Sequence, residues 1–400
     1  MNLKSLDYKW YILFLAATTN AVVVALPMMS LSVLFHQISV DLKLSLVQVG
    51  LIWGIGALPG LLSTLFAGVF ADRFGPRKVI IVACVLTGIL GALRGFASDF
   101  NTMLGAMIVA GFVTPLISVN TVKTAGVWFT SRQLGLANGF LSMGMALGFL
   151  AGSMLSATVI SPWVGGWRNV LILYGALAVL FAIPWTLSRA HMAAQRSASA
   201  PPAPSMRQAF GYVARKRNIW MLGLAVLGIG GAVQGTLGYL PLYLRGQGWP
   251  DLNADAALAS FHLLSMLTVI PVALFSDRPG VRKKVFVAAA SLITLGMVGL
   301  TFASGGWVWL AVGVAGLMRD GFMAIFLTSV IETDGIGPLY AGSAIGVTMV
   351  LSSLGTIIAP PLGNSLAAFA PSAPFGLWAG MAMLGIVAIL FSRGRSAEAK

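Results

Sequence analysis

Charge is the scarcest property of this chain of 400 residues. Only 9% are Asp, Glu, Lys or Arg, and just 11 are acidic. A water-soluble protein carries about 25% charged residues. With 58% hydrophobic residues and a mean hydropathy of +0.90, this chain cannot hide its surface from water. A soluble globular protein is excluded, and lipid is the expected solvent. Cysteine is almost missing as well. Cys84 is the one cysteine, so an internal disulfide is excluded; in its apolar stretch it reads as a small buried hydrophobe. No Asn-x-Ser/Thr sequon occurs, so nothing marks a glycosylated surface. A nucleotide-binding loop, a cluster of metal-ligand residues and a nucleophile triad are missing too. Their absence removes ATP as the energy source, gives no reason to expect a cofactor, and argues against an enzyme. No sizeable soluble stretch exists to pass on a signal, which argues against a membrane sensor. Energy must then come from a gradient.

What is present is a series of long apolar runs. About 20 apolar residues cross the hydrocarbon core, and only helices satisfy their own backbone there. Twelve such spans are expected, at residues 10–35, 46–70, 79–97, 101–129, 133–158, 167–188, 218–244, 255–275, 285–304, 307–331, 338–369 and 374–392. Pro27, Pro59, Pro115, Pro271, Pro360 and Pro361 fall inside them and predict kinks. The first run is longer than the apolar core of a signal peptide and is expected to be a retained span. The fold class is all-α, a twelve-helix membrane protein. The net charge of +14 is no nucleic-acid footprint, because the basic residues sit in turns between spans. They crowd one face, at residues 73–78, 207–217 and 278–284, while the other holds only Lys43, Arg168 and Arg245. That asymmetry places both termini in the cytoplasm. The expected location is the cell (inner) membrane, as a multi-pass protein, with the lipid bilayer as its surroundings and a monomer as its state.

The halves repeat. Ala71-Asp72-Arg73-Phe74-Gly75-Pro76-Arg77-Lys78 returns about 205 positions later as Ser276-Asp277-Arg278-Pro279-Gly280-Val281-Arg282-Lys283. Gly135-Leu136-Ala137-Asn138-Gly139 lines up with Gly342-Ser343-Ala344-Ile345-Gly346, and Gly148 falls opposite Gly355. Six spans per half, repeated, mark a duplicated transporter. The expected division is residues 1–189, a cytoplasmic linker at 190–216, and residues 217–400. The linker core, Ser197 to Pro204, has the composition of a flexible connection. Met206, Phe210 and Val213 sit at helical spacing beyond it, among Arg207, Arg215, Lys216 and Arg217. A short helix on the membrane surface and a solvated basic linker are both compatible with this pattern.

With these loops, the chain resembles the major facilitator superfamily over essentially its whole length. Gly68 to Lys78 is similar to that family's signature loop between the second and third spans, and Asp277 to Lys283 to its counterpart between the eighth and ninth. The resemblance implies alternating access, two pseudo-symmetric six-helix halves, and a cavity lined mainly by the first, fourth, seventh and tenth spans. Gly68, Asp72, Arg73, Gly75, Arg77 and Lys78, with Asp277, Arg278, Gly280, Arg282 and Lys283, are then gating residues. The loop chemistry agrees. Asp72 ends a helix, where the dipole disfavours an anion, so it needs cations, which Arg73, Arg77 and Lys78 offer, or the start of another helix, such as the one near Pro338.

Four charges lie inside spans, where they are costly and mark function or partnership. Arg319 and Asp320 are near mid-membrane; as helix neighbours they point about 100° apart, so each is expected to have its own partner or face water. Arg94 can snorkel, pair with Asp99, or point inward and attract an anion. Lys123 can snorkel or enter the cavity. Their sum favours an anion, and arginine suits a carboxylate. Asp320 carries a proton if buried, but not if held in a permanent salt bridge. Asn20, Thr114, Asn120, Gln234 and Tyr239 are candidate substrate contacts, and His262 a proton or substrate ligand. Gly144, Gly148 and Gly152 suggest close helix packing. The function expected is secondary transport of a small anionic molecule, an organic carboxylate or similar, with protons as a candidate coupling ion. The alternative is proton-driven export of amphipathic drugs or metabolites; against it, Gly148 is followed by Phe149 instead of the proline that exporters of this family carry.

Overall fold

A computed structural model describes residues 3–129, 131–188, 206–276, 278 and 280–392. Among them there is no strand. Twelve helices are long and apolar enough to cross a membrane: Tyr8–Asp41, Leu46–Thr64, Pro76–Phe96, Phe100–Trp128, Gln133–Val164, Trp167–Leu187, Arg217–Gly246, Asp251–Ser276, Arg282–Phe302, Trp307–Ile331, Leu339–Leu366 and Ala373–Phe391. They are numbered here as spans 1 to 12. The chain divides into two compact units, drawn from Met1–Arg196 with Leu244–Ala259 and from Ser197–Tyr243 with Ser260–Lys400.

The spans begin and bend for local reasons. Asp99 caps span 4: its carboxylate accepts from the Thr102 amide at 2.9 Å, while Thr102 Oγ1 accepts from the Asp99 amide at 3.1 Å. Ser45 and Gln48 start span 2 with the same reciprocal box. Span 1 is not a uniform α-helix. Residues Asn20–Ala25 form a π-helical segment just before Pro27. The absent proline N–H and its ring clash fall on the preceding turn, and the wider π turn absorbs them. Span 2 breaks at Gly56, ahead of Pro59. Pro115, Pro271, Pro360 and Pro361 stay within unbroken helices.

Lipid tails are as apolar as leucine, so helices associate through close packing of small residues. In the first unit Gly144, Gly148 and Gly152 of span 5 press on span 1, where added Cβ atoms would strike the carbonyl oxygens of Ala17, Ala21 and Leu26. The second unit repeats this. Gly355 of span 11 meets the Leu227 carbonyl of span 7, and Gly231 of span 7 meets Gly355 in return. The glycines aligned by the repeat thus make the same helix crossing twice. Buried tryptophans lock each unit and still satisfy their N–H. Trp185 donates to Thr19 Oγ1 at 2.9 Å, and Trp378 to the Ala359 carbonyl at 2.8 Å.

Residues Met206–Ala214 form a short helix after the linker, one of the two arrangements compatible with its sequence. It lies against its own unit: Ala209 and Val213 are buried, and Tyr212 stacks on Tyr340 at 4.4 Å. The linker core at 197–204 lies outside the described residues.

Two measurements test this packing. Gly148→Val should destabilise the protein by about 1–3 kcal/mol, seen as a lower Tm in detergent, because its side chain has no room. Gly139→Ala, in open space, should leave Tm unchanged. The Thr102 amide holds the Asp99 carboxyl below its ordinary range, so the cap is intact at neutral pH and is lost as pH falls through that lowered value. Asp99→Ala should therefore speed amide exchange at residues 100–104 at neutral pH, and the difference from wild type should vanish in strong acid.

Candidate functional site

Glycine turns and helix-end cations shape the two charged loops. Gly75 and Gly280 both have positive φ, +82° and +74°, which lets each chain reverse from one helix into the next. Arg77 then reaches the end of span 6. It donates to the carbonyls of Trp185 at 2.9 Å and Thr186 at 2.5 Å, and to Ser188 Oγ at 3.1 Å. In the second unit Lys283 does the same for span 12, donating to the Leu390 and Ser392 carbonyls at 2.9 and 2.6 Å. A cation at a helix carboxyl end satisfies orphan carbonyls and the dipole together.

Arg77 is therefore committed and does not neutralise Asp72. That role falls to Lys123. Its ammonium lies 2.9 Å from Asp72 Oδ1 and donates to the Gly68 carbonyl at 2.9 Å. The physical reason is reach: Lys123 leaves span 4 near the end of span 2, and a four-carbon stem carries its charge to the loop. Arg73 stacks beside Phe74 at 5.3 Å and Lys78 is exposed. In the second unit, Arg282 forms an ion pair with Glu332 at the end of span 10. Arg278 lies over the Phe275 ring at 4.9 Å. Asp277 lies outside the described residues.

The mid-membrane pair is arranged differently from a continuous helix. Span 10 breaks at Met318 (φ −114°, ψ 5°), giving helices Trp307–Leu317 and Arg319–Ile331. The break sets Arg319 and Asp320 in the first turn of the second helix. Arg319 Nη1 folds onto Asp320 Oδ1, so the two form a salt bridge with each other despite their divergent directions. Span 8 seals the break. Ser265 Oγ accepts from the Asp320 amide at 3.0 Å, and Thr268 Oγ1 donates to the Leu317 carbonyl. His262, buried one turn away on span 8, lies within electrostatic reach of both Arg319 and Asp320. Polar and charged groups from two spans thus gather around backbone that the break frees.

Arg94 stands apart. It is 8% exposed, donates from Nε to the Gly91 carbonyl at 3.0 Å, and otherwise touches Met107 Sδ at 4.0 Å. It does not pair with Asp99, whose carboxylate serves Thr102. Among the described residues Arg94 makes no ion pair.

The neutral candidates divide. Asn20 and Thr121 join spans 1 and 4, with Thr121 Oγ1 donating to Asn20 Oδ1 at 3.2 Å. Asn120 donates to its own helix at Leu116, and its Oδ1 is buried without a hydrogen bond. Thr114 bonds back to Ala110. Tyr239 donates to the Pro371 carbonyl at 2.9 Å and packs among Tyr243, Phe375 and Trp378. It therefore acts as a packing residue in this structure. Gln234 is half-buried in span 7. Sequence reasoning misses Ser265, Thr268 and Glu332. A hydroxyl one or two turns from a buried histidine is the signal that could find the first two.

The family profile of the Major Facilitator Superfamily matches residues 13–351. Among curated relatives, a probable L-galactonate transporter of Escherichia coli is 25% identical over 63% of this chain and 57% of its own. A probable nitrate/nitrite antiporter of Thermus thermophilus is 27% identical over 61% and 56%. The chain thus spans little more than half of these two relatives. The 3-(3-hydroxy-phenyl)propionate transporter of Escherichia coli is 26% identical over 86% of this chain and 85% of its own. Among solved structures, a mutant of the nucleoside transporter NupG superposes with a TM-score of 0.80 at 15% identity, covering 96% of this chain and 100% of that one. A bacterial homologue of the lysosomal transporter Spinster gives 0.73, also at 15% identity, over 96% and 94%.

The half-exposed Asp72–Lys123 pair contributes only about 0–1 kcal/mol to stability. Measured as solute exchange in proteoliposomes, Asp72→Asn should slow turnover while leaving substrate affinity and Tm nearly unchanged. Asp72→Lys combined with Lys123→Asp should recover part of the rate.

Proposed function

This chain belongs to the major facilitator superfamily, an integral multi-pass membrane protein of a transporter family, and from that premise we propose that it moves a small organic anion by alternating access, coupled to protons. The observation that carries the reading is Arg94. A guanidinium this buried, with no carboxylate beside it among the described residues, holds an uncompensated charge. Such a charge is costly in the membrane and favours a bound anion. The relatives point the same way: galactonate, nitrate/nitrite and hydroxyphenylpropionate transporters.

The Arg319–Asp320 pair supplies a route to coupling. While the salt bridge stands, Arg319 is neutralised. A proton on Asp320 removes that partner and frees a planar, two-donor group for a substrate carboxylate. Anion and proton would then bind together, because each favours the state that accepts the other. The Ser265 hydroxyl accepts from the Asp320 amide, and buried His262 lies within electrostatic reach of the pair. The direction of movement follows whichever gradient is larger. By the distribution of lysine and arginine, both termini lie in the cytoplasm, with the cell membrane as the site. Tyr239, Phe375 and Trp378 are buried and packed on one another, which lends no support to the alternative of drug export.

The test is counterflow in proteoliposomes with labelled monocarboxylates, dicarboxylates, inorganic anions and lipophilic cations, with and without a pH gradient. Saturable exchange confined to anions is expected, and activity confined to cations would overturn the reading. Arg94→Gln and Arg319→Gln should each raise the half-saturation concentration by roughly 30-fold or more. Asp320→Asn should make exchange indifferent to the pH gradient; a preserved response would remove its coupling role.

A further inference from the structure

Spans 7 and 8 meet in a tight turn, Gly246 to Pro250, on the face opposite the amino terminus. Gly248 takes φ +80° there, and its amide and that of Trp249 bond back to the Arg245 and Leu244 carbonyls. The turn brings three charges together. Arg245 Nε lies 2.6 Å from Asp251 Oδ1, and Nη2 lies 2.7 Å from Asp255 Oδ1. The side chain of Arg245 is 6% exposed and that of Asp255 0%, whereas Asp251 is 72% exposed. Two atoms of the cluster are left over in its buried part: among the described residues none hydrogen-bonds Arg245 Nη1 or Asp255 Oδ2.

The charge balance is uneven. One arginine faces two carboxylates, and these are the charged groups that act on Asp255. Asp251 is exposed to solvent and lies against Arg245 Nε, so Arg245 already has an ion-pair partner at the surface. An ionised Asp255 would leave the buried triad with a net charge of one and with Oδ2 lacking a donor. A proton on Oδ2 makes the triad neutral and leaves Oδ1 free to accept from Nη2, so the geometry survives protonation. Two acids sharing one base titrate as a coupled unit whose proton goes to the less hydrated member.

We propose that Asp255 is a proton-binding site, separate from the Arg319–Asp320 pair, and that its protonation clasps the ends of spans 7 and 8. With the proton bound, the neutral triad stays dry and the turn is closed. As pH rises and the proton leaves, the extra charge draws in water and the turn loosens. The linkage sign follows: closure is fully present at low pH and is lost as pH rises. The proposal does not depend on which solute is carried.

The experiment uses the full chain in lipid nanodiscs and needs no substrate. Infrared difference spectra should show a protonated-carboxyl band present at about pH 5 and gone by about pH 9, typical of a desolvated acid. Asp255→Asn should remove that band and Asp320→Asn should leave it at this site, whereas Asp251→Asn should move its disappearance to lower pH, because Arg245 is then balanced by Asp255 alone. Arg245→Gln should move its disappearance to the alkaline side by roughly 1–3 pH units. Amide exchange at residues 246–256, corrected for intrinsic rates, should accelerate through the same transition in wild type and stay slow in Asp255→Asn. If the band survives in Asp255→Asn, or exchange at the turn shows no pH step in wild type, the proposal is wrong. Failure of anion exchange in the counterflow panel would not touch these readouts, so the two readings fail separately.

Discussion

A bilayer offers no water to a backbone amide or a buried charge, and this one constraint organises the molecule. It forces the spans to be helical and makes every charge inside them a question of partnership. The answers differ along the chain. Lys123 resolves its charge by leaving the span for Asp72 and Gly68. Arg319 resolves it locally, on Asp320. Arg282 and Glu332 resolve it between the ends of spans 9 and 10. Arg94, among the described residues, has a carbonyl and a thioether and no carboxylate.

The same constraint explains the break in span 10. A helix interrupted at Met318 frees backbone groups at membrane depth, which is tolerated only where protein satisfies them. Ser265 and Thr268 do so from span 8. The break costs regular hydrogen bonds and leaves Arg319 and Asp320 in the first turn of the following helix, where the long Arg319 side chain folds onto Asp320. Discontinuous helices near mid-membrane are where transporters commonly place ions and substrates. The second unit thus carries an ion pair beside the break, and the first unit a buried arginine without an ion pair among the described residues.

Duplication is visible at two levels that need not agree. The glycine crossings of span 5 on span 1 and of span 11 on span 7 repeat faithfully, because packing tolerates only small residues there. The charges have diverged. Arg77 caps span 6, but its counterpart by alignment, Arg282, pairs with Glu332 while Lys283 caps span 12. The function of capping a helix end is kept and the residue that performs it has moved by one. Charge at a loop is adjustable in a way that backbone contact is not.

By itself, the sequence determined the number and approximate limits of the spans, the twofold repeat, the turn glycines and the ladder of small residues. Each rests on local quantities: run length, hydropathy, spacing along one helix. What only the tertiary structure decided was which charge meets which. Lys123 and Asp72 are 51 positions apart, and no periodicity couples them. As helix neighbours Arg319 and Asp320 diverge; the Arg319 side chain folds across to Asp320, and the break at Met318 before them is sealed from another span. Hydropathy alone starts span 8 at Asp255, which leaves that carboxylate at an unremarked helix end. The structure starts the helix at Asp251, one turn earlier, and so buries Asp255 beside Arg245. Pairing depends on helix rotation, depth and endpoints to within one turn, and hydropathy does not resolve that distance.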